Sequence, residues 1–96
     1  MNYIDKPCFI CPAGYYGQMI YYYLQRFTPY IKGFIDNDPL KHGKRVYGTP
    51  LYIFSPEVLT KNKDESVYII LYAGPYTNEI KTQFSSIHPS IVCIPF

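Results

Sequence analysis

Residues 7–27 read PCFICPAGYYGQMIYYYLQRF, and two periodicities meet within this stretch. The first five residues are almost continuously apolar, which is typical of a β-strand covered on both faces. From Gly14 to Phe27 apolar residues recur every three or four positions, which predicts a helix that ends before Pro29. The predicted inward stripe is Tyr16, Met19, Ile20, Tyr23, Leu24 and Phe27. A strand, a glycine-containing turn and a helix are the opening unit of an α/β fold.

The rest of the chain continues this alternation. Strands are predicted at residues 30–36, 49–54, 66–73 and 90–96, and helices at 55–59 and 76–84. Ser55 suits the cap of the first of these helices, and Ile80 and Phe84 lie four residues apart on the inner face of the second. The polar segment 37–48 is a predicted loop, and residues 62–65 are a predicted turn.

Strands separated by helices predict a parallel sheet with right-handed crossovers. We therefore predict a single domain over residues 1–96, with a small Rossmann-like α/β fold. Its sheet is mostly parallel and five-stranded, in the order 3-2-1-4-5, with helices on both faces. Ligands of such sheets bind beyond the carboxyl ends of the strands, where the strand order reverses. The loops at residues 12–17, 36–38 and 74–76 are expected to meet there.

The loop after the first strand has the spacing of a phosphate-binding G-x-G-x-x-G loop, with Pro12 in place of the first glycine. Gly14 would let the backbone approach a phosphate, and free amides at the helix start attract anions. Pro12 offers no amide donor and has a fixed φ. Two interpretations remain open: a nucleotide or phosphate site, or a strand-to-helix turn that needs small residues such as Gly17 for steric reasons.

Asp36 follows Gly14 by 22 residues, close to the spacing of the acidic residue that binds ribose hydroxyls in dinucleotide folds. The alternative is an Asx turn, because Asp-Asn-Asp-Pro is also a strong turn sequence. The basic residues that follow are Lys41, His42, Lys44 and Arg45. They would neutralise a diphosphate, or they form a solvated loop.

Composition and spacing exclude several classes of function. The net charge of +2, with no alternating basic and aromatic residues, does not indicate nucleic-acid binding. Cys8 and Cys11 would point to opposite faces of a strand, so they are predicted to be core residues and not a metal or redox pair. The histidines, His42 and His88, are isolated, and no catalytic residue or metal ligand is predicted. No apolar run suits a membrane span or signal peptide, and the three cysteines do not suggest a disulfide framework; both points favour the cytoplasm.

Three blocks of sequence carry a resemblance: residues 33–59, GFIDNDPLKHGKRVYGTPLYIFSPEVL; residues 67–84, VYIILYAGPYTNEIKTQF; and residues 92–96, VCIPF. This pattern resembles the C-terminal domain of bacterial nucleotide-sugar C-methyltransferases. The matching residues are Asp36, Asn37, Pro39, Lys41, Gly43, Gly48, Thr49, Pro50, Ser55, Pro56, Glu57, Leu59, Glu79 and Ile80. The chain also resembles the amino-terminal domain of bacterial sugar O-acyltransferases.

The methyltransferase resemblance implies a domain that helps to bind a nucleotide-linked sugar, while separate domains hold zinc and S-adenosylmethionine. No residues here supply those two groups, so we expect a detached binding module or a piece of a larger chain, and Met1 favours an independent reading frame. We predict a non-catalytic module that binds a nucleotide or nucleotide-sugar beside a transferase of surface polysaccharide biosynthesis. The predicted contacts are Ala13, Gly14, Tyr15, Tyr16, Gly17, Asp36, Asn37, Lys41, Gly74 and Pro75.

Two other classes of function remain. The tyrosine-rich helix would suit a protein-interaction or dimerisation domain with a vestigial cleft, since an exposed aromatic patch often marks an interface. The last alternative is a small NAD(P)-dependent enzyme whose site is completed by a dimer.

Overall fold

In the computed structural model, residues 5–61 and 66–96 are described, and the turn predicted at 62–65 lies outside them. Five parallel strands form one sheet in the order β3-β2-β1-β4-β5. The strands are β1 (Cys8–Cys11), β2 (Ile31–Ile35), β3 (Ile53–Phe54), β4 (Val67–Leu71) and β5 (Ile91–Pro95). The α-helices are α1 (Tyr15–Leu24) and α2 (Thr77–Ser85), and 3₁₀ segments span Pro39–Lys41 and Pro56–Thr60. The predicted α/β fold and strand order are confirmed.

The two faces of the sheet are covered by different elements. On one face, Ile20 and Leu24 of α1 pack with the inward residues of β1 and β2. On the other face, Phe84 of α2 and Leu59 of the second 3₁₀ segment pack against β1, β2, β4 and β5. Successive residues of a strand point to opposite faces, so a strand can contribute side chains to both hydrophobic layers. Helices therefore lie on both faces, as predicted.

The predicted stripe of α1 is only partly correct. Gly17, Ile20 and Leu24 are its buried residues, and the helix ends at Leu24 and not at Phe27. The predicted inward residues that are instead exposed are Tyr16, Met19, Tyr23 and Phe27. The cause lies at Gly17, where a Cβ atom would stand 2.1 Å from the Pro12 carbonyl oxygen. That close approach turns the glycine toward the sheet and rotates the larger side chains outward.

The predicted third strand is observed at Ile53–Phe54, and its neighbouring loop pairs with its outer edge. The Ile53 carbonyl accepts a hydrogen bond from the Gly43 amide at 2.8 Å, and the Ile53 amide donates to the Lys44 carbonyl at 2.8 Å. Residues 43–53 therefore form an irregular antiparallel hairpin beside the sheet, where a plain loop and a longer strand were predicted. The helix predicted at 55–59 is a 3₁₀ segment, although Ser55 does cap it, since its side-chain oxygen accepts from the Glu57 amide at 3.2 Å.

The pairing between β1 and β2 contains an irregularity at Lys32. Cys8 lies opposite Ile31, but the next residue, Phe9, lies opposite Gly33. Lys32 is thus an extra residue in β2, in the manner of a β-bulge, which re-aims a side chain relative to strict alternation.

Candidate functional site

The loop between β1 and α1 is a tight strand-to-helix turn. Its Cys11–Pro12 peptide bond is cis, and Gly14 has a φ of +109°, a conformation that L side chains rarely adopt. Gly17 then packs against the Pro12 carbonyl. The local backbone therefore favours glycine at both positions. This agrees with the interpretation of the loop as a strand-to-helix turn that needs small residues. The phosphate interpretation is compatible with the same backbone and stays a prediction.

Asp36 ties three segments together directly after β2. One carboxylate oxygen, Oδ2, accepts from the backbone amide of Ala13 at 3.2 Å and lies 3.4 Å from Lys41 Nζ. The other, Oδ1, accepts from the Asp38 amide at 2.9 Å, which is an Asx turn. The Asp36 side chain is only 10 % exposed, against 43 % for Lys41. The turn alternative for Asp36 is thus observed, and contact with a ribose remains a prediction.

Two acidic residues, Asp36 and Asp38, hold the segment that contains the predicted basic residues. The Asp38 carboxylate caps the first 3₁₀ segment by accepting from the Leu40 amide at 3.0 Å. A ring nitrogen of His42, Nε2, lies 2.7 Å from the Asp36 carbonyl oxygen, while Lys44 and Arg45 are exposed. Lys41 and His42 therefore fold back toward the glycine turn, and the last two basic residues face solvent.

The loop after β4 reaches the same edge of the sheet through an aromatic contact. The rings of Tyr16 and Tyr72 are stacked, with centroids 4.1 Å apart and an interplanar angle of 14°. Gly74 follows Tyr72, and its amide donates to the Thr77 hydroxyl at 2.8 Å at the start of α2. The segment that contains Gly74 and Pro75 is thus joined to the start of α1 by way of Tyr72. Three of the predicted ligand contacts are joined directly: Asp36 is hydrogen-bonded to the Ala13 amide and paired with Lys41.

Asn37 is directed elsewhere, toward α2. Its amide nitrogen donates to Gln83 Oε1 at 3.0 Å, and the Gln83 amide nitrogen donates to Asn37 Oδ1 at 2.8 Å. This reciprocal pair satisfies one donor and one acceptor of each side chain. A ligand that used the Asn37 side chain would compete with these two bonds.

The amino end of α1 has an electrostatic character that suits an anion. Gly14 provides no side-chain cap, and the first turn contains no acidic residue. Unpaired amides and the helix dipole place a partial positive charge at such an end. Tyr15, the first residue of the helix, is 71 % exposed, so solvent reaches this point.

Cys8 and Cys11 lie in the core, as predicted. Cys8 belongs to the layer under α1 and Cys11 to the layer under α2, so the two thiols point to opposite faces. Burial raises the pKa of Cys8 to about 11 and that of Cys11 to about 12, with the negative charge of Asp36 a second cause for Cys11. Both thiols therefore stay protonated at neutral pH and are poor nucleophiles.

Residues 5–61 and 66–96 contain no group of three or more histidine, cysteine or acidic side chains placed to hold a metal ion. His88 is buried, and its Nδ1 accepts from the Ser90 amide at 3.2 Å, while His42 contacts Asp36. The two histidines thus serve different segments. In the same described ranges, no helix has both the length and the apolar character needed to cross a membrane.

Two features of the site were missed in the sequence. Tyr72 stacks on Tyr16, and Tyr76 exposes its ring beside Gly74. The alternation in residues 67–72 does carry a signal, because it puts Tyr68 and Tyr72 on the face that α1 covers. An apolar pocket of about 280 Å³ was also missed; no residue of the predicted site lines it.

None of the protein-family models, curated proteins or solved structures compared with the chain matches it. The resemblance to sugar methyltransferase and acyltransferase domains therefore stays a prediction from the motifs.

Proposed function

We propose that this protein is a non-catalytic module that binds a nucleotide or a nucleotide-sugar at the carboxyl edge of its sheet, beside a sugar transferase. The observation that supports this best is the start of α1, at the strand-order switch between β1 and β4, where the helix has no side-chain cap and no acidic residue in its own first turn. In open α/β sheets this is the position where ligands bind.

In the proposed complex, the amides from Gly14 to Gly17 bind a phosphate of the ligand. Asp36 fixes the loop through Ala13 and also accepts from a ribose hydroxyl, since a carboxylate has about four acceptor positions. Lys41 supplies a positive charge that is partly accessible to solvent. The segment with Gly74 and Pro75 closes over the ligand.

The base has aromatic partners available in this arrangement. The exposed rings of Tyr15 and Tyr76 flank the loops, and the Tyr16–Tyr72 stack joins them. Stacking on aromatic side chains tolerates different bases. The proposal therefore needs a screen of several nucleotides and not a single ligand.

The test is calorimetric titration with UDP-, dTDP- and GDP-sugars, NAD and coenzyme A. At least one ligand should give saturable heat with a stoichiometry of one. Tyr15→Glu should weaken that binding at least tenfold, because a carboxylate in the first turn repels the phosphate. Tyr15→Gln is the matched control: it also removes the ring but adds no charge, so it should bind the ligand clearly more tightly than Tyr15→Glu. Absence of heat with every ligand would remove the proposal.

A second candidate function is self-association through an exposed aromatic surface. The Tyr23 ring lies 5.1 Å from that of Phe27 and 5.3 Å from that of Phe96, so α1 and the end of β5 form one apolar surface. All three side chains remain at least a third exposed. Contiguous exposed apolar area of this kind favours an interface.

Sedimentation velocity at several concentrations tests this candidate. A dimer should form as concentration rises, and Tyr23→Glu should abolish it. Tyr47→Glu, at a nearly fully exposed loop tyrosine whose ring is not paired with any of these three rings, should leave the dimer unchanged. A wild-type protein that stays monomeric at all concentrations contradicts the candidate.

A further inference from the structure

An apolar groove lies on the sheet face that α2 and the second 3₁₀ segment cover. It has a volume of about 280 Å³, and its lining includes Phe9, Phe54, Val58 and Val67. The chain crosses from β3 toward β4 with only the five residues of that 3₁₀ segment in regular structure within its described part. Among residues 5–61 and 66–96, the sheet beside Phe9 and Phe54 is therefore only partly covered.

One wall of the groove is formed by two aromatic rings that pack against each other. The rings of Phe9 and Phe54 meet edge to face, with centroids 6.1 Å apart and planes at 83°. The Phe54 ring lies over Gly33, where an added Cβ atom would come within 2.5 Å of the ring. Gly33 thus makes the space that the Phe54 ring fills, and the aromatic pair forms a fixed wall against which an apolar chain can pack.

Two lysines stand at the rim of this apolar floor. Lys32 and Lys61 both line the groove, and both are exposed. Lys32 follows Ile31, which packs in the layer under α1, so Lys32 points to the opposite face of the sheet and reaches the groove. It thereby brings a positive charge to an otherwise apolar site.

The charges around the groove are unbalanced in the part of the chain that the structure describes. No acidic side chain of residues 5–61 and 66–96 lines it, and Glu57 borders the adjoining pocket that shares Phe54, Val58 and Lys61. The salt bridge found among these residues joins Lys41 and Asp36, not either rim lysine. An apolar cavity with two cations at its mouth is complementary to a ligand with an apolar body and one anionic end.

We propose that the groove binds a medium-chain aliphatic carboxylate, with its hydrocarbon against Phe9, Phe54 and Val58 and its carboxylate between Lys32 and Lys61. The volume of the groove is at the low end for small-molecule sites, which suits a chain of about eight to ten carbons. The groove adjoins Pro7 and Val67, at the amino ends of β1 and β4, and is thus remote from the glycine loop at their carboxyl ends. The inference is independent of the proposed nucleotide site.

Octanoate below its micellar concentration is the probe, and 1-octanol is its neutral counterpart. Calorimetry should give one octanoate site and at least tenfold weaker binding of octanol. The double variant Lys32→Glu/Lys61→Glu should bind octanoate at least tenfold more weakly. Lys44→Glu makes the same charge change at an exposed lysine outside the groove and should bind within twofold of the wild type. Chemical-shift changes in the free protein on adding octanoate should centre on Phe9, Val58 and Val67.

Val58→Trp is a second variant, which fills the groove without changing charge and should abolish octanoate binding. If it does not fold, the lysine variants still decide, because their side chains are exposed. No octanoate binding, or equal binding by the double variant, overturns the proposal. So does equal affinity for octanol, which would indicate a plain apolar crevice. A wild-type dimer that Val58→Trp dissociates, without octanoate binding, would assign the groove to a second copy of this chain.

Discussion

The carboxylate of Asp36 accepts a hydrogen bond from the backbone amide of Ala13 at 3.2 Å, so the residue that ends β2 holds the turn that follows β1. The same carboxylate accepts from the Asp38 amide and pairs with Lys41. One side chain thus determines the shape of the edge at which the nucleotide is proposed to bind.

Replacing Asp36 should destabilise the protein, because two backbone amides would lose their hydrogen-bond acceptor. In Asp36→Ala, the amides of Ala13 and Asp38 lose their acceptors, and we expect the free energy of unfolding to fall by about 1–3 kcal/mol. Asp36→Asn keeps one side-chain oxygen and should cost less. Urea denaturation measures both. Lys41→Gln is the control for the ion pair, and it should cost less than about 1 kcal/mol because the lysine is partly exposed. A larger effect for Lys41→Gln than for Asp36→Ala would contradict this account.

Gly17→Ala should be strongly unfavourable, because its Cβ atom would meet the Pro12 carbonyl oxygen at 2.1 Å. Separating the helix from that turn should cost about 1–3 kcal/mol or more. Gly74→Ala is the matched substitution, since its Cβ atom meets only the Tyr72 ring, at 3.4 Å. Thermal and urea unfolding should therefore show a large loss for the first variant and a small change for the second. Equal stability of the two variants would mean that α1 is not held this closely.

The orientation of α1 can be tested with two residues of the predicted stripe. Leu24 is fully buried and Met19 is 48 % exposed. Leu24→Ala should lower the free energy of unfolding by about 2–5 kcal/mol, through lost burial and the cavity left behind. Met19→Ala should change it by no more than about 0.5 kcal/mol. Comparable losses at both positions would support the original stripe and not the observed one.

The core thiols should make stability fall at alkaline pH. Their pKa values in the folded protein, about 11 for Cys8 and about 12 for Cys11, lie above the ordinary value of 9.0. The folded state therefore holds these protons more tightly than the unfolded state does. The resulting contribution is complete below about pH 8, and it decreases as the pH rises through 9 toward the folded values. Urea denaturation at pH 8 and pH 10.5 should show this fall.

Two controls separate the thiols from the other groups that titrate in this range. Cys11→Ala should show a smaller fall in stability between the two pH values than the wild type. Labelling with a thiol reagent at pH 8 should modify the half-buried Cys93 first, and Cys93→Ser should remove that fast phase. Fast labelling of Cys8 or Cys11 in the folded protein would show that they are more accessible than the structure indicates.

The sequence was sufficient for the fold because its apolar periodicity changes clearly between strands and helices. The near-continuous apolar residues of β1 and β4 and the helical spacing before Pro29 each match one element. The hairpin beside β3 was not predictable in the same way. It depends on backbone bonds from Ile53 to Gly43 and Lys44, and backbone pairing of a polar, glycine-containing loop leaves no side-chain pattern.

The meeting of the loops that form the candidate site was predictable, but their contacts were not. Parallel topology alone brings the glycine loop and Asp36 to one edge, and their hydrogen bond bears this out. The sequence left Asp36 open between a turn and a ligand contact, because the same carboxylate serves both chemistries. The groove with Lys32 had no signal in the sequence, because its shape depends on how the segment after β3 packs over the sheet and not on composition.

The hairpin beside β3 also affects how exposed the edge of the sheet is. The amide and carbonyl of Ile53 that face away from β2 are already bonded to Lys44 and Gly43, so that border offers little template for a strand from another molecule. The opposite border is β5, which ends in Pro95, a residue with no amide to donate. Intermolecular strand addition, the first step of many aggregation reactions, is thereby opposed along the β3 border and at the Pro95 end of the β5 border.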